Sequence, residues 1–507
     1  MTSLQERYDV AQQTLLDGNQ EKAEILFDQL LQEEPDSQLH ARILNDLGVS
    51  AMLSGQESVA MTRFQNSLER VPDLSTAREN LCRAERAHRR HIRIAVVSFL
   101  FNWPSTGGGI IHTVELVQFL KKAGFHVELF HPRFEPWGIG RRDATCPVPA
   151  TALNFEEPAW HAESIKARFR ETVAKFDPHH VIITDCWNFK PHLAEALSQY
   201  PVYLRMQAQE CLCPLNNLGL LMDSPEEIRQ CAENQLSSPQ ACGSCLKSRG
   251  DQAGSLHFAE RQLSGVGTAE YQALLAKAFR ESQCVLALNP AVASELEPHC
   301  DRVQVVTWGM NSERFPWPRP ETPDRLTPEN GKTRIVFAGL LDEPIKGFRV
   351  IHGACRQLAK ERDDFELIVT HDPAGQIDDF TRSVGWQTQQ SLPDVYRDCD
   401  ICAVPTIAQD GLSRTSVEAM ACGLPVIASR IGGLPFTVEE GVTGRLCEPG
   451  DVGDWTAKLS SLLDDPDQCR QMGMAGRQVF EDRFVWEQVI EESYVPLFAE
   501  VKQEVSR

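Results

Sequence analysis

The chain has 507 residues, of which 42% are hydrophobic and 24% charged, and its formal net charge is −21. This length exceeds one typical domain and predicts two or three. A nucleic-acid-binding protein needs a basic surface, so the acidic balance argues against that class.

No segment approaches the roughly 20 apolar residues of a membrane span, and the N-terminal residues lack the basic and apolar regions of a signal peptide. We therefore expect a cytoplasmic protein without a transmembrane segment. In that compartment most of the 16 cysteines would be thiols or metal ligands rather than disulfides.

A two-unit repeat occupies residues 1–90. Gly18 recurs as Gly55, and Phe27 recurs as Phe64, 37 positions later in each case. The same spacing relates three further pairs: Ala23 and Ala60, Leu31 and Leu68, and Pro35 and Pro72. Small residues let paired helices pack closely, and a proline after the second helix ends it. The pattern resembles the tetratricopeptide repeat, with a third helix over residues 75–89 closing the stack.

The repeats have two interpretations. A concave surface built from such helices would bind a protein or peptide, whereas a packing or homodimerisation module would serve the domain that follows. The sequence favours neither.

A Rossmann-like arrangement begins at residue 92. Residues 92–99 are apolar and β-branched, which predicts a buried parallel strand. Gly107, Gly108 and Gly109 follow, then a helix and a strand over residues 127–130. Glycines let a backbone approach a ligand closely, and the N-terminus of the following helix favours anions. A tight turn between strand and helix would give the same glycine loop.

Two further apolar segments, residues 181–184 and 202–205, predict strands of the same sheet. A proline-rich stretch, residues 315–328, predicts a linker before a second sheet, whose first strand is expected at residues 334–339. Lys346 then precedes a helix, where it is placed to contact a phosphate, although a solvated surface lysine would look the same.

A cysteine cluster lies between these two regions. Cys242 and Cys245 form a C-x2-C pair whose intervening glycine allows a tight turn, and Cys213 with Cys231 completes four thiolates of the structural zinc type. Free thiols, a redox pair at Cys242 and Cys245, and an iron–sulfur cluster stay open as alternatives. Cys211 would be an extra thiol or an alternative ligand.

The stretch over residues 410–428 carries the most specific pattern. Asp410 falls in a loop, and Glu418 lies eight positions later in a short helix that Gly423 ends. An apolar strand, residues 425–428, follows, as in a doubly wound α/β sheet whose ligands bind at the carboxyl ends of the strands.

The start of this helix suits a nucleotide sugar. Free N–H groups near Ser413 and Arg414 favour a diphosphate. Glu418 can accept both hydroxyls of a ribose, and Asp410 can reach a sugar beyond the phosphates. The segment therefore predicts a nucleotide-sugar site.

These residues resemble the E-x7-E signature of retaining glycosyltransferases with the GT-B fold, in particular glycosyltransferase family 4, with Asp410 in place of the first glutamate. The run EAMACGLPVIAS (418–429), the pair Gly432-Gly433 and the turn at residues 441–444 extend the match. The resemblance implies an α/β protein with two Rossmann-like domains facing a cleft, preceded here by the all-α tetratricopeptide-like repeat.

The resemblance also implies the domain boundaries. They are 1–90 for the repeats, 91–316 for an acceptor domain with a Cys-rich insertion at 211–245, 317–332 for the linker, and 333–507 for a donor domain whose last helices cross back.

Roles follow by position from the same resemblance. The expected catalytic residues are Asp410, Gly108 and Gly109; the donor-binding residues are Lys346, Glu418, Gly411, Leu412, Ser413 and Arg414; the acceptor-side residues are Gly107 and Gln207. The zinc set Cys213, Cys231, Cys242 and Cys245 matches a spacing found in a subset of family 4 enzymes. Two departures stand out. Leu340 replaces an arginine that usually grips the diphosphate, and Gln207 with Ala208 replaces a His-Asp pair.

We therefore predict a retaining, hexosyltransferase-like enzyme that moves a sugar from a UDP- or GDP-type donor to an acceptor hydroxyl without a catalytic metal. The repeats would recruit a protein acceptor or partner. The alternative is a non-catalytic scaffold with a degenerate GT-B module, which the two departures favour. A nucleotide-sugar epimerase or a sugar phosphorylase is disfavoured because the signature is that of transferases.

Overall fold

The computed structural model describes residues 3–105, 107–222, 228–250, 255–317, 331–371, 378–409 and 411–499. Contacts between Cα atoms divide the chain into two compact units, residues 1–94 with 120–127 and residues 95–119 with 128–507. The domain boundaries expected from the sequence differ from this division and stay a prediction.

The helices, in chain order, are α1 (Leu4–Leu16), α2 (Gln20–Leu31), α3 (Ser37–Leu53), α4 (Glu57–Arg70), α5 (Ser75–Arg89), α6 (Gly108–Lys122), α7 (Ala162–Phe176), α8 (Lys190–Ala196), α9 (Pro239–Arg249), α10 (Ser255–Ser264), α11 (Ala269–Glu281), α12 (Pro290–Leu296), α13 (Phe348–Leu358), α14 (Leu392–Arg397), α15 (Arg414–Ala421), α16 (Leu434–Thr437), α17 (Val452–Asp464), α18 (Pro466–Arg483), α19 (Trp486–Val489) and α20 (Val495–Ala499).

The strands are β1 (Arg93–Ser98), β2 (His126–Arg133), β3 (Ala150–Asn154), β4 (His180–Thr184), β5 (Val202–Arg205), β6 (Leu220–Met222), β7 (Ile228–Gln230), β8 (Cys284–Ala287), β9 (Val303–Val305), β10 (Thr333–Phe337), β11 (Phe365–Val369), β12 (Thr381–Ser383), β13 (Ile401–Val404), β14 (Val426–Ser429) and β15 (Gly444–Cys447).

The first unit holds the five N-terminal helices. Helix α1 packs on α2 and α3, and α3 packs on α4 and α5. Gly18 and Gly55 both have positive φ, 82° and 70°, so the two halves of the repeat turn at the same place. Phe27 and Phe64 are fully buried at equivalent positions. The predicted helix over residues 75–89 is confirmed, whereas the tetratricopeptide character of the stack stays a prediction.

The first sheet has seven strands in the order β3-β2-β1-β4-β5-β8-β9. Its apolar strands are buried on both faces: every residue of β4, β5 and β8 is buried. Burial of this kind is typical of parallel strands covered by helices. The strands predicted from residues 181–184 and 202–205 are confirmed.

The second sheet has six strands in the order β12-β11-β10-β13-β14-β15, and every neighbouring pair is parallel. Helices α13 and α17 cover one face, where Ile351 and Trp455 are fully buried. Gly423, with φ of 72°, follows α15 and lets the chain turn into β14. The α/β class with parallel sheets is therefore confirmed.

The final helices contact elements of the first sheet. The indole N–H of Trp486 donates to Glu115 Oε2 at 3.0 Å, and the ring stacks on Phe119. The hydroxyl of Tyr203, in β5, donates to the carbonyl of Leu497 at 2.9 Å. Within the described residues, no helix combines the length and apolar character that a membrane span requires.

Candidate active site

The loops at the carboxyl ends of the two sheets meet around Gly411. This residue follows β13, and its carbonyl accepts a hydrogen bond from the side-chain amide of Asn289, which follows β8. A Cβ atom at Gly411 would collide with the carbonyl oxygen of Gln207, which follows β5. Glycine is therefore required where the two loops cross. Parallel strands gather their carboxyl ends at one edge, where α/β proteins bind ligands.

Helix α15 is the element that the sequence predicts to bind the donor. Ser413 caps its N-terminus, with the side chain accepting from the N–H of Ser416 at 3.4 Å. Glu418 lies one turn into the helix and is 3% exposed. Its Oε2 accepts from the hydroxyl of Tyr396 at 3.3 Å. The carboxylate is thus fixed in a buried position beside the open end of the helix.

Arg414 occupies the first turn of α15 and contacts both sides of the site. Its NH2 donates to Glu418 Oε1 at 3.2 Å, and its NH1 lies 3.9 Å from Glu115 Oε2. The guanidinium also lies over the ring of Trp308. Within the described residues its Nε and NH1 atoms are buried without a hydrogen-bond partner. Buried donors of this kind are normally satisfied, so these two are suited to an anionic ligand.

The environment of Arg414 affects neighbouring titratable groups. Burial lowers the pKa of His112 well below its usual value, with Arg414 and Arg205 adding to the effect. The ring of His112 is stacked on that of Trp308, with centroids 4.2 Å apart. Burial raises the pKa of Glu115, while Arg414 acts in the opposite direction.

Lys346 ends a short 3-10 turn that is held against the residues following β13 in the second sheet. The carbonyl of Ile345 accepts from the hydroxyl of Thr406 at 2.8 Å and from the N–H of Ile407 at 2.9 Å. Gly347 has a φ of 75° and sits against the carbonyl of Pro405, leaving no room for a Cβ. The turn is thus fixed, while Lys346 itself is half-buried and makes no ion pair with another described residue.

Leu340, which stands where the resemblance expects an arginine, is 40% exposed. It lies in the segment between β10 and Lys346. The positive charge expected there is absent, and Arg414, which is partly buried, is a cation beside Glu418.

The glycine loop, residues 107–109, lies between Arg414 and Gln207. Gly107 N–H is bonded to Ser105 Oγ at 3.1 Å, and Gly108 begins α6. A Cβ at Gly108 would lie 3.5 Å from Arg414 Cδ, whereas one at Gly109 would lie 2.8 Å from Gln207 Oε1. The sequence predicted these glycines as a ligand loop, and the structure brings them next to predicted residues of both the donor side and the acceptor side.

Gln207 lies at the end of β5 in a polar cluster. Its Nε2 donates to Thr184 Oγ1 at 2.9 Å, to the carbonyl of Gly109 at 3.3 Å, and to Asp185 Oδ1. Asp185 was missed in the sequence. It directly follows the apolar strand β4, and that position is the only sequence signal that points to it.

Two other predicted site residues, Leu412 and Asp410, come between β13 and α15 in the sequence. Leu412 is buried, 5% exposed, and packs inside the loop before α15. Asp410 lies outside the described residues. The roles assigned to all these side chains stay predictions. Glu115, Trp308 and Tyr396 also surround Arg414 or Glu418, and no motif marks them in the sequence.

The predicted zinc ligands share one region of the chain. Cys213, Cys231 and Cys245 each raise the pKa of Cys242, which burial raises to about 12. The N–H groups of Leu215 and Glu233 point to the sulfurs of Cys213 and Cys231, 3.4 Å in each case.

These contacts do not amount to a metal centre. Within the described residues, no group of three or more His, Cys, Asp or Glu side chains is arranged to hold a metal ion. The zinc prediction is therefore unsupported, and we assign no step of the reaction to a metal. All four cysteines are free thiols in the structure, as is Cys211.

Comparison with known proteins identifies the second sheet region. Residues 332–465 match the family model described as "Glycosyl transferases group 1". Residues 332–465 thus carry a glycosyltransferase group 1 domain. This domain contains the loop of Lys346 and helix α15, and the non-catalytic scaffold is not favoured.

Curated relatives are glycosyltransferases. The chain is 29% identical over 240 residues to the MMP alpha-(1->4)-mannosyltransferase of Mycolicibacterium hassiacum, covering 44% of this chain and 55% of that protein. It is 33% identical over 172 residues to the D-inositol 3-phosphate glycosyltransferase of Corynebacterium kroppenstedtii, covering 30% of this chain and 38% of that protein. The chain thus spans about half the length, or less, of these relatives.

Solved structures share the fold. Sucrose-phosphate synthase of Thermosynechococcus elongatus superposes with a TM-score of 0.57 at 19% identity, over 80% of this chain and 99% of that one. Anabaena HepE in complex with UDP-glucose gives 0.54 at 15% identity, over 81% and 100%. At these identities the likeness concerns the fold alone, the two-sheet arrangement.

Proposed function

We propose that the protein is a retaining glycosyltransferase that moves a sugar from a nucleotide-diphosphate sugar to an acceptor hydroxyl. The observation that carries this proposal is the buried Glu418 carboxylate, held by Tyr396 and Arg414 beside the capped N-terminus of α15. A buried acid with two fixed partners near a helix N-terminus suits a ribose beside a diphosphate.

Donor binding follows from the charges around that helix. Arg414 has unsatisfied buried donors, and Lys346 makes no ion pair within the described residues. Both cations would bind the diphosphate, and the free N–H groups of α15 would add to them. These cations would take the place of the arginine that the resemblance expects at position 340, where this chain has a leucine.

The transfer step then needs no protein nucleophile. The acceptor oxygen forms the new bond to the anomeric carbon as the bond to the donor phosphate breaks on the same face. The departing diphosphate takes the proton of the acceptor hydroxyl. Arg414, Lys346 and the N-terminus of α15 would stabilise the negative charge that develops on the leaving group. Exclusion of water from the site would limit hydrolysis of the donor sugar.

The donor is of the UDP or GDP type. The crystal structure of HepE with UDP-glucose, a protein of the same fold, supports testing UDP sugars first. Isothermal titration with UDP and GDP, followed by release of free sugar from UDP-glucose, UDP-galactose and GDP-mannose, tests the proposal. Binding of neither nucleotide would contradict it.

We also propose that helices α1–α5 recruit a protein acceptor or partner. Support comes from a polar network that links alternate helices: Tyr8 of α1 donates to Asp46 of α3 at 2.7 Å, and Asn80 of α5 donates to Asn45 of α3 at 2.9 Å. Such a network fixes the relative positions of α1, α3 and α5 and so presents their shared face as one surface. Recruitment would raise the acceptor's effective concentration at the site.

Substitutions on this face separate recruitment from assembly. Gln5 is exposed, and Arg42, on the neighbouring helix, lies over the ring of Tyr8. We expect the double variant Gln5→Ala, Arg42→Ala to keep donor hydrolysis but lose transfer to acceptors in an extract of the native cells. A changed molecular mass in solution would instead indicate a role in dimerisation.

A further inference from the structure

The side-chain amide of Gln207 is held in one orientation. Four acceptors surround its Nε2: Thr184 Oγ1, Asp185 Oδ1, the carbonyl of Gly109, and Thr113 Oγ1 at 3.4 Å. A carbonyl oxygen can only accept a hydrogen bond. The opposite orientation would place Oε1 against the carbonyl oxygen of Gly109, so Nε2 faces that carbonyl together with Asp185, and Oε1 faces away.

The oxygen of this amide faces the glycine loop. It lies 2.8 Å from the place that a Cβ would occupy on Gly109. Within the described residues Gln207 Oε1 receives no hydrogen bond, and the side chain is only partly buried. The site thus presents an acceptor that has no protein donor, next to the loop expected to meet the sugar.

Asp185 is fixed for this contact. Its Oδ2 accepts from Ser98 Oγ at 2.7 Å, and its carbonyl accepts from the N–H of Leu100 at 2.9 Å. Its φ is 45°, in the left-handed region that non-glycine residues rarely adopt. Backbone strain of this kind collects at functional sites, where the surrounding structure holds it in place.

We propose that Asp185 is the positioning residue of the acceptor side: it orients the amide of Gln207 so that Oε1 accepts the hydrogen bond of the incoming hydroxyl. This inference rests on the proposed function, because it assigns the acceptor side of the same site. An amide cannot take up a proton, so Gln207 would orient the hydroxyl while the donor phosphate receives its proton.

The test compares variants that leave the backbone of residue 185 undisturbed. Glycine and asparagine both tolerate positive φ. Asp185→Gly removes the carboxylate, whereas Asp185→Asn keeps an oxygen that can accept from the amide of Gln207. The readouts are the affinity for UDP and GDP by calorimetry, and the rate of sugar release from UDP-glucose or GDP-mannose, in which water takes the place of the acceptor.

We expect Asp185→Gly to slow sugar release about tenfold or more, with nucleotide affinity changed by less than about twofold. Asp185→Asn should recover most of the lost rate. The double variant Asp185→Gly, Gln207→Ala should be no slower than Gln207→Ala alone, because Asp185 acts only through that amide.

Gln207→Leu provides an independent variant, since its side chain offers no hydrogen to Asp185 and no acceptor to the incoming hydroxyl. A wild-type rate in Gln207→Leu, or in folded Asp185→Gly, overturns the inference and leaves the proposed function intact. Additive losses in the double variant, or a loss expressed in nucleotide affinity, overturn it as well. A wild-type protein that binds neither UDP nor GDP and releases no sugar overturns the proposed function, and this inference with it.

Discussion

Arg414 NH1 lies 3.9 Å from Glu115 Oε2. Arg414 belongs to α15, which follows a strand of the second sheet, and Glu115 belongs to α6, which follows a strand of the first sheet. Glu115 also accepts from the indole of Trp486 at 3.0 Å. The first turn of α15 is therefore connected to α6 and to the C-terminal helices through one carboxylate. A diphosphate that binds Arg414 would compete with Glu115 for the guanidinium. Donor binding would therefore affect the contact between α15 and α6.

Glu418→Ala should weaken nucleotide binding. The variant removes the charged acceptor for the ribose hydroxyls and leaves Arg414 and Tyr396 without their shared partner. We expect a loss of about 1.5–3 kcal/mol, roughly tenfold or more in affinity. Calorimetry with UDP and GDP measures it. Glu361→Ala, at an exposed position after α13, is the control. Unchanged affinity in a folded Glu418→Ala protein would exclude a ribose role.

Lys346→Ala should reduce the affinity for the nucleoside diphosphate far more than for the nucleoside. The reason is that an ammonium group acts on phosphate charge and contributes nothing to the base or ribose. Titration of UDP against uridine, or GDP against guanosine, measures the difference. Lys360→Ala, at an exposed site, serves as the matched control. Equal losses for the two ligands would place Lys346 away from the phosphates.

Gly109→Ala should be more damaging than Gly108→Ala. A methyl group at 109 would lie 2.8 Å from Gln207 Oε1 and 3.2 Å from Asp185 Oδ1. A methyl group at 108 would meet only Arg414 Cδ among the described residues, at an ordinary 3.5 Å. We expect sugar release to fall about tenfold more in Gly109→Ala, since relieving the clash displaces the amide of Gln207. Steady-state hydrolysis rates of the two variants decide; equal rates would contradict the geometry.

His257 should make stability depend on pH. Its ring is stacked on Trp187 with centroids 3.4 Å apart, and burial lowers its pKa to about 4. The unfolded chain takes up a proton near the usual pKa of about 6.5, while the folded state stays neutral. As the pH falls from about 6.5 toward 4, the folded state therefore loses stability, by at most about 2 kcal/mol near pH 5.

His257→Phe keeps a stacking ring and removes the titration. Its melting temperature should exceed that of the wild type by a larger margin near pH 5 than near pH 8. His91→Phe, at an exposed position, shows the effect of losing any histidine. The same margin at both pH values would mean that the pKa of His257 is the same in the folded and unfolded chain.

The helices and strands of the core could be predicted from the sequence because their signals are local. Each of these elements follows from residues close together in the sequence. Examples are α5, β5, and the helix that starts after Ser413 and ends before Gly423. Burial of apolar runs and the conformational freedom of glycine do not depend on distant parts of the chain. Motif spacing likewise predicted a donor-binding role for Glu418 and a position beside it for the glycine loop, and both roles stay predictions.

The tertiary structure alone decided which side chains meet. Asp185 faces Gln207 because β4 and β5 are parallel neighbours whose carboxyl ends lie side by side. Glu115 and Arg414 are 299 positions apart in the sequence. They meet only because the carboxyl ends of the strands of the two sheets face each other. Such contacts depend on strand order and loop crossing, which no local pattern encodes. The arrangement of the cysteines is of the same kind: their spacing suggested a metal, and within the described residues the fold does not support one.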